Sequence, residues 1–159
     1  MALKTRPMTA EDRASLLRIL ASTPEFKPIE VEVAREVIDD YLKHGIEYGY
    51  TIQVAEDEGQ VLGYVSFGQT PCTEGTWDIY WIVVDKAKRG RSIGKALSAI
   101  AEKTIKEAGG RLIIIETSSI PSYENTRKFY LSRGYEVIAT IPDFYAVGDN
   151  KVMLQKKVS

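Results

Sequence analysis

A short, basic, glycine-containing segment is the first part of the sequence whose residue types could do chemistry. Residues 85–95 carry five basic side chains in eleven positions, namely Lys86, Lys88, Arg89, Arg91 and Lys95. Gly90 and Gly94 lie in the same segment, where a predicted helix begins. The first N–H groups of a helix have no partner within it and carry the positive end of its dipole, so such a turn binds anions, phosphates in particular. A solvated basic loop would have the same composition.

The spacing of the glycines excludes two common phosphate-binding motifs. Gly90 and Gly94 are separated by three residues, whereas the P-loop pattern G-x-x-x-x-G-K-[ST] has a longer interval. The segment does not fit the Rossmann fingerprint either. The anion-binding interpretation therefore depends on the start of the helix and on the neighbouring cations.

The elements around this segment alternate between helix and strand. Apolar runs and helical spacing predict the order β-α-α-β-β-β-α-β-α-β-β in one α/β (α+β) domain over 1–159, with a mixed sheet of about six or seven strands and about four helices. A strand over 76–84, a helix over 92–108 and a strand over 111–117 form a crossover whose first turn is where ligands bind in such folds. The other predicted strands cover 3–6, 50–55, 60–67, 135–141 and 151–157, and the other helices begin at Thr9 or cover 30–43 and 123–133.

Composition excludes several classes of function. The net charge of −1 gives no general basic field for nucleic acid, and the longest apolar run, over 79–84, is too short to span a membrane. One cysteine, Cys72, and one histidine, His44, supply neither a disulfide framework nor an ordinary zinc site. We therefore expect no metal, nucleic acid or membrane partner and a reducing, cytoplasmic setting. Two strand edges could support a homodimer.

Two motifs carry a resemblance to a known family. Arg89-Gly90-Arg91-Ser92-Ile93-Gly94, entered from a strand that ends in Val-Asp, resembles motif A of the GNAT superfamily of N-acetyltransferases, [QR]-x-x-G-x-[GA]. Ser92 stands where the family usually has Gly, and we expect its amide to keep its direction if the site is already helical. Residues 123–135 resemble the family's second motif, N-x-x-A-x-x-x-Y-x-x-x-G-F: Tyr130, Gly134 and Tyr135 align, and Tyr123 and Thr126 take the Asn and Ala positions.

The resemblance implies a single GNAT domain that binds acetyl-CoA. Backbone groups of Ile82, Val83 and Val84 would pair with the pantetheine arm, while Lys86, Lys88 or Arg91 would reach the remaining phosphate. Thr126 and Tyr130, from the second motif, would also contact the cofactor. The backbone amides that would hold the pyrophosphate are those of Arg89, Gly90, Arg91, Ser92, Ile93, Gly94 and Lys95.

Acetyl transfer to an amine needs a proton donor at the departing sulfur and a base for the amine. The resemblance assigns the acid role to Tyr130, although a core residue beside Phe129 would occupy the same place in the helix. Asp78 is the first candidate base, because the histone-acetylating branch has a carboxylate at the matching position of this strand, and Glu116 on the next strand is the second. Asp78 could instead face solvent, and Glu116 could bond to the backbone.

The identity of the acceptor is the property that the sequence determines least. The helices between Thr9 and His44 shape the acceptor pocket in this fold, and their acidic residues would suit a cationic amine or form a solvated face. Phe144 and Tyr145, in the last connection, begin a segment that resembles the groove-closing segment of N-terminal and ribosomal-protein acetyltransferases. We expect an N-acetyltransferase acting on a small-molecule amine by direct attack. The alternatives are a protein N-terminal or lysine acetyltransferase and a non-catalytic CoA-binding regulatory module.

Overall fold

The computed structural model describes residues 3–90 and 92–159. Within these residues seven strands form one sheet, as predicted: β1 (Lys4–Pro7), β2 (Thr51–Asp57), β3 (Gln60–Gln69), β4 (Thr76–Val84), β5 (Leu112–Ser118), β6 (Glu136–Ala146) and β7 (Asp149–Lys157). Four α-helices accompany the sheet: α1 (Arg13–Ala21), α2 (Pro28–His44), α3 (Ile93–Glu107) and α4 (Glu124–Ser132). The predicted mixed α/β class and element order are confirmed.

The strand order β1-β2-β3-β4-β5-β7-β6 contains one parallel pair, β4 with β5. Their pairing covers only Thr76–Asp78 against Leu112–Ile114, although β4 continues to Val84 and β5 to Ser118. The two strands therefore separate after Asp78 and leave a gap in the middle of the sheet. The carboxyl ends of both strands face this gap.

A β-bulge in β4 lies beside the gap. Ser66 on β3 pairs with Trp81, and the next residue, Phe67, pairs with Ile79, so Tyr80 has no opposite residue. A bulge of this kind bends the strand and redirects its side chains. Here it changes the alternation of β4 at the point where the strand leaves β5.

Helices cover both faces of the sheet, because alternate side chains of the central strands join different apolar cores. Val65 and Phe67 on β3 pack in one core with Leu97 of α3, whereas Tyr64 packs in the other core with Leu16 and Ile38 of α1 and α2. A sheet buried on both faces is held rigidly. The gap between β4 and β5 is thus fixed by the packing on either side of it.

The ends of several elements differ from the prediction. The first helix begins as a 3₁₀ turn over Ala10–Asp12, held by a 2.8 Å bond from the Thr9 N–H to the Asp12 carboxylate. The prediction that Phe144 and Tyr145 lie in the last connection is wrong, because β6 continues through both to Ala146. Pairing with β7 stops at Ile141 and resumes at Ala146, and these two rings lie in the interruption between the two paired stretches. None of the described helices is long and apolar enough to cross a membrane.

Candidate active site

The gap between β4 and β5 opens into a groove of about 1050 Å³. Both strands line it, together with the start of α3, the inner side of α4, the α1–α2 connection and the first turns of α2. The groove therefore joins the predicted anion-binding turn at one end to α2 at the other, while α1, which was also predicted to shape the acceptor pocket, contributes only through its connection to α2.

The anion-binding end is formed where α3 begins. Ser92 precedes the helix in a left-handed conformation, with φ 60° and ψ 21°, so the expectation that its site is already helical is wrong. Glycine adopts the left-handed region without steric cost, whereas other residues are destabilised there. This explains why the family motif has glycine at this position. Ser92, Ile93, Gly94 and Lys95 all line the groove.

Gly94 has no side chain to fill this end of the groove. A Cβ at Gly94 would lie 3.4 Å from the Phe129 ring and 3.8 Å from a methyl of Val84, which is ordinary contact. A longer side chain would project into the groove at the predicted pyrophosphate site. Gly90, with φ 85°, also lines the groove, while the predicted Arg91 lies outside the described residues.

Arg89 anchors the turn through its side chain. Its guanidinium donates two bonds to the Glu25 carboxylate, at 2.8 and 3.1 Å, and these bonds lower the pKa of Glu25. Only the backbone of Arg89 is therefore free to serve the predicted pyrophosphate site. Lys86 and Lys88 form part of the 3₁₀ turn before α3 and do not line the groove.

The exposed edge of β4 forms one wall. Ile82, Val83 and Val84 pair with β3 on one side, and all three line the groove on the side where β5 has departed. A strand edge with unpaired backbone groups binds an extended ligand that carries amides. Thr126 lies on the opposite wall, contributed by α4.

Tyr130 is both a core residue and a part of the groove wall. Its side chain is 6% exposed and packs edge to face against Phe129 and Tyr135, with ring centroids 5.3 and 5.7 Å away. It also lines the groove. Burial raises the pKa of Tyr130, so its hydroxyl keeps its proton at neutral pH.

Asp78 sits at the point where β4 and β5 separate. Its Oδ2 accepts a 2.6 Å bond from the Thr70 hydroxyl, and the residue lines the groove, so it does not simply face solvent. Burial, with a contribution from the nearby Glu116, raises the pKa of Asp78, and the bond from Thr70 only partly offsets this. Thr70 precedes β4 in a loop, and no sequence signal marked it.

Glu116 has a cationic partner. Lys151 on β7 places its Nζ 2.8 Å from Oε2 of Glu116 and 3.7 Å from the centre of the Phe144 ring. The Lys151 side chain is 12% exposed. Glu116 also lines the groove, and its observed partner is Lys151 rather than the backbone group considered as the alternative to a base role.

Contacts between distant segments complete the end of the groove beside α2. The Tyr123 hydroxyl donates a 2.9 Å bond to Glu30 on α2, and Asp149 accepts a short bond from Ser118 and lies 3.8 Å from Lys27. These pairs span long stretches of chain, so no local pattern could predict them. They tie α2 to both the α4 and β7 sides of the groove.

Aromatic rings line the groove beside Asp78. Tyr50 and Tyr80 meet edge to face at 5.6 Å, and Tyr145 lies in the same groove. Burial raises the pKa of Tyr80 and of Tyr145 to about 12 in each case, so both hydroxyls are neutral at pH 7.

Comparison with known proteins places this geometry in a family. Residues 48–137 match the family model described as "Acetyltransferase (GNAT) domain". A solved structure assigned to the GNAT acetyltransferases, from Desulfovibrio desulfuricans, is 36% identical, covers 99% of this chain and 100% of its own, and superposes with a TM-score of 0.96. A search of curated proteins by sequence found no significant match.

More distant structures share the fold. A Salmonella typhimurium protein solved with its cofactor acetyl-CoA is 18% identical, with a TM-score of 0.75 over 100% of this chain and 95% of its own. A ribosomal-protein-alanine N-acetyltransferase from Brucella melitensis is 22% identical, with a TM-score of 0.75 over 97% of this chain and 99% of its own.

Proposed function

The chain belongs to the GNAT acetyltransferase family, and from that premise we propose that it transfers an acetyl group from acetyl-CoA to the primary amine of a small molecule. The observation that carries the proposal is the groove between β4 and β5. It brings together a helix N-terminus, an open strand edge, a buried tyrosine and a carboxylate that has no cationic partner among the described residues. When bound there, acetyl-CoA supplies an acetyl group activated as a thioester.

The residues present fit the cofactor. The amides at the start of α3 and the dipole of that helix would hold the pyrophosphate. Gly94 leaves the approach to those amides open, and the edge of β4 from Ile82 to Val84 would pair with the amides of the pantetheine arm. Thr126 lines the opposite wall. The groove thus offers backbone groups where the cofactor has phosphates and amides.

Tyr130 is our proposed acid. A phenol is protonated at neutral pH, which is the state needed to protonate a departing thiolate, and burial keeps that proton in place while making Tyr130 a weaker acid. Packing against Phe129 and Tyr135 fixes the ring, so little reorganisation of the side chain is needed for reaction. A core residue would make the same ring contacts; the support for an acid role is that Tyr130 also lines the groove.

Asp78 is our proposed base in preference to Glu116. At pH 7, neutralising a lysine-like amine costs roughly 4–5 kcal/mol, so a base must remove its proton. Lys151 already lies 2.8 Å from Oε2 of Glu116, so a substrate ammonium would have to compete there with a cation of this chain. Among the described residues Asp78 bonds to one neutral hydroxyl, that of Thr70, and its raised pKa makes it a stronger base than an ordinary aspartate. Direct proton transfer and transfer through a water are both compatible with this arrangement.

A protein acceptor is the second candidate. Its support is the resemblance of the segment that begins at Phe144 and Tyr145 to the groove-closing segment of N-terminal acetyltransferases, together with the place of Tyr145 on the groove wall. A homodimer remains a prediction, with β6 as the exposed edge of the sheet; sedimentation of the purified protein would test it.

Release of free CoA thiol tests the proposed function. We expect purified protein to release thiol from acetyl-CoA only when an acceptor amine is present, and the acetylated amine should appear in equal amount by mass spectrometry. A regulatory module would bind acetyl-CoA and release no thiol with small amines, N-terminal peptides or lysine peptides. Stimulation by peptides alone would favour the protein acceptor.

A further inference from the structure

Most of the carboxylates that line the groove are already paired with cations of this chain. Among the described residues that line the groove, five are carboxylates: Glu25, Glu30, Asp78, Glu116 and Asp149. Three of them form ion pairs with cations of this chain, at 2.8 Å for Glu25 with Arg89, 2.8 Å for Glu116 with Lys151 and 3.8 Å for Asp149 with Lys27. Their charge is therefore largely compensated before any substrate arrives.

Glu30 is occupied by other donors. Its Oε2 accepts from the Tyr123 hydroxyl at 2.9 Å, and its Oε1 accepts from the Lys27 backbone N–H at 3.1 Å. Asp78 uses only Oδ2, toward Thr70, and has no cation within ion-pair distance among the described residues. Neither Glu30 nor Asp78 is paired with a cation among the described residues, but both oxygens of Glu30 already accept hydrogen bonds, whereas Asp78 keeps one oxygen open for a single ammonium group.

Apolar side chains also line the end of the groove beside α2. Ile29 and Val33, one turn apart on α2, line the groove while 67% and 43% exposed, and Tyr145 is 44% exposed on the β6 side. Aliphatic side chains that stay exposed within a concave groove provide a surface on which an apolar ligand group can be buried. The Tyr50–Tyr80 pair adds ring surface beside Asp78.

From this division we propose, as a refinement that rests on the proposed function, that the acceptor is a small monoamine with an apolar body. Asp78 receives its single ammonium group beside the rings of Tyr50 and Tyr80, whose faces also attract cations. Its body lies against Ile29 and Val33 of α2. Polycationic acceptors, such as polyamines and aminoglycosides, would bring second and third charges to an end of the groove where the other carboxylates are already engaged.

The test compares matched amines in the thiol-release assay. We expect kcat/KM to be highest for phenethylamine, tryptamine and hexylamine, and at least about tenfold lower for ethanolamine, which lacks the body, and for spermidine and kanamycin. Higher kcat/KM for spermidine or kanamycin, or for a peptide with an apolar first residue, would overturn the inference while leaving acetyl transfer intact.

A variant pair locates the apolar subsite. Val33→Asp should raise KM for phenethylamine about tenfold or more and leave the Kd for CoA unchanged, because Val33 lies on the acceptor side. Ile46→Asp is the matched control, since Ile46 is 72% exposed and does not line the groove, and it should change neither quantity. An unchanged KM in Val33→Asp would contradict the assigned subsite.

Binding separates this inference from the proposed function. If no amine is acetylated, the proposed function fails, and calorimetric titration of phenethylamine and of spermidine into CoA-saturated protein still decides the ligand class. Tighter binding of phenethylamine, weakened in Val33→Asp, would support the apolar monoamine site. Tighter binding of spermidine, or no difference between the two, would overturn it.

Discussion

Lys151 Nζ lies 2.8 Å from Oε2 of Glu116, and this ion pair distinguishes the two carboxylates that line the groove on neighbouring strands. Asp78, on the other strand, bonds to the Thr70 hydroxyl and has no cation within ion-pair distance among the described residues. Burial raises the pKa of Asp78, whereas Lys151 already occupies an oxygen of Glu116. We therefore expect Asp78, rather than Glu116, to act as the base.

Replacing Asp78 should remove the base. We expect Asp78→Asn to lower kcat/KM for an alkylamine by about 10²–10⁴. Glu116→Gln is the matched control on the facing strand and should cost much less. Steady-state thiol release measures both variants, and a severe loss in Glu116→Gln with none in Asp78→Asn would reverse the assignment.

The rate should also depend on the ionisation of Asp78. Its pKa is raised in the folded protein, so the active, deprotonated form is lost as the pH falls through a value above the 3.8 of an ordinary aspartate. In the profile of kcat/KM against pH we expect an acidic limb at that raised position, and we expect Asp78→Asn to lack this limb. An unchanged limb in the variant would assign it to another group.

Tyr130→Phe should separate chemistry from binding. The ring packing is kept and only the proton donor is lost, so we expect kcat to fall by about 10²–10⁴ while the Kd for CoA is unchanged. Tyr135→Phe is the control, because the Tyr135 hydroxyl is buried without a partner among the described residues and its loss should leave kcat intact. Equal kcat values for Tyr130→Phe and the parent protein would show that Tyr130 is a packing residue.

Ser92→Gly should stabilise the protein. Its left-handed backbone costs a non-glycine residue roughly 1–2 kcal/mol, and its side chain makes no capping bond that would be lost. Because glycine also gains freedom in the unfolded chain, we expect a net gain of about 0.5–1 kcal/mol in the free energy of unfolding. Urea denaturation measures it.

Ser98→Gly is the same change in the interior of α3 and should have the opposite sign. Glycine inside a helix costs roughly 0.5–1 kcal/mol, and the bond from Ser98 to the Lys95 carbonyl is lost as well. Destabilisation of both variants would contradict the strain assigned to Ser92.

Gly94→Leu should weaken cofactor binding. The Cβ itself has room, at 3.4 Å from the Phe129 ring, so Gly94→Ala should bind CoA nearly as well as the parent protein. A leucine extends into the groove at the start of α3, and we expect its Kd for CoA to rise by at least about tenfold, or roughly 1.4 kcal/mol. Calorimetric titration compares the two variants, and equal affinities would place the pyrophosphate elsewhere.

Local patterns predicted most of the fold. The near-continuous apolar run gave β4 its bounds of Thr76–Val84, and the glycines after α3 and α4 marked the ends of both helices. The first half of β6 was predicted, as a strand over 135–141, but its continuation to Ala146 was not, because these residues are exposed and the interrupted pairing with β7 leaves no alternation that identifies a strand.

Tyr130, Asp78, Glu116 and most of the predicted cofactor residues line one groove in the structure, and their roles there stay predictions. The left-handed Ser92 and the pairs Glu116–Lys151 and Tyr123–Glu30 were not predictable, since they depend on tertiary contacts between separate elements. These pairs determine which carboxylates remain available to a substrate.

The most direct test of the central claim is the release of CoA thiol from acetyl-CoA by the purified protein, with and without phenethylamine. Acetyl transfer in this groove predicts release that requires the amine, saturates with its concentration and yields one N-acetylphenethylamine per thiol. Tight binding of acetyl-CoA with the same background release at every amine concentration, for phenethylamine and for every other amine and peptide tested, would contradict it.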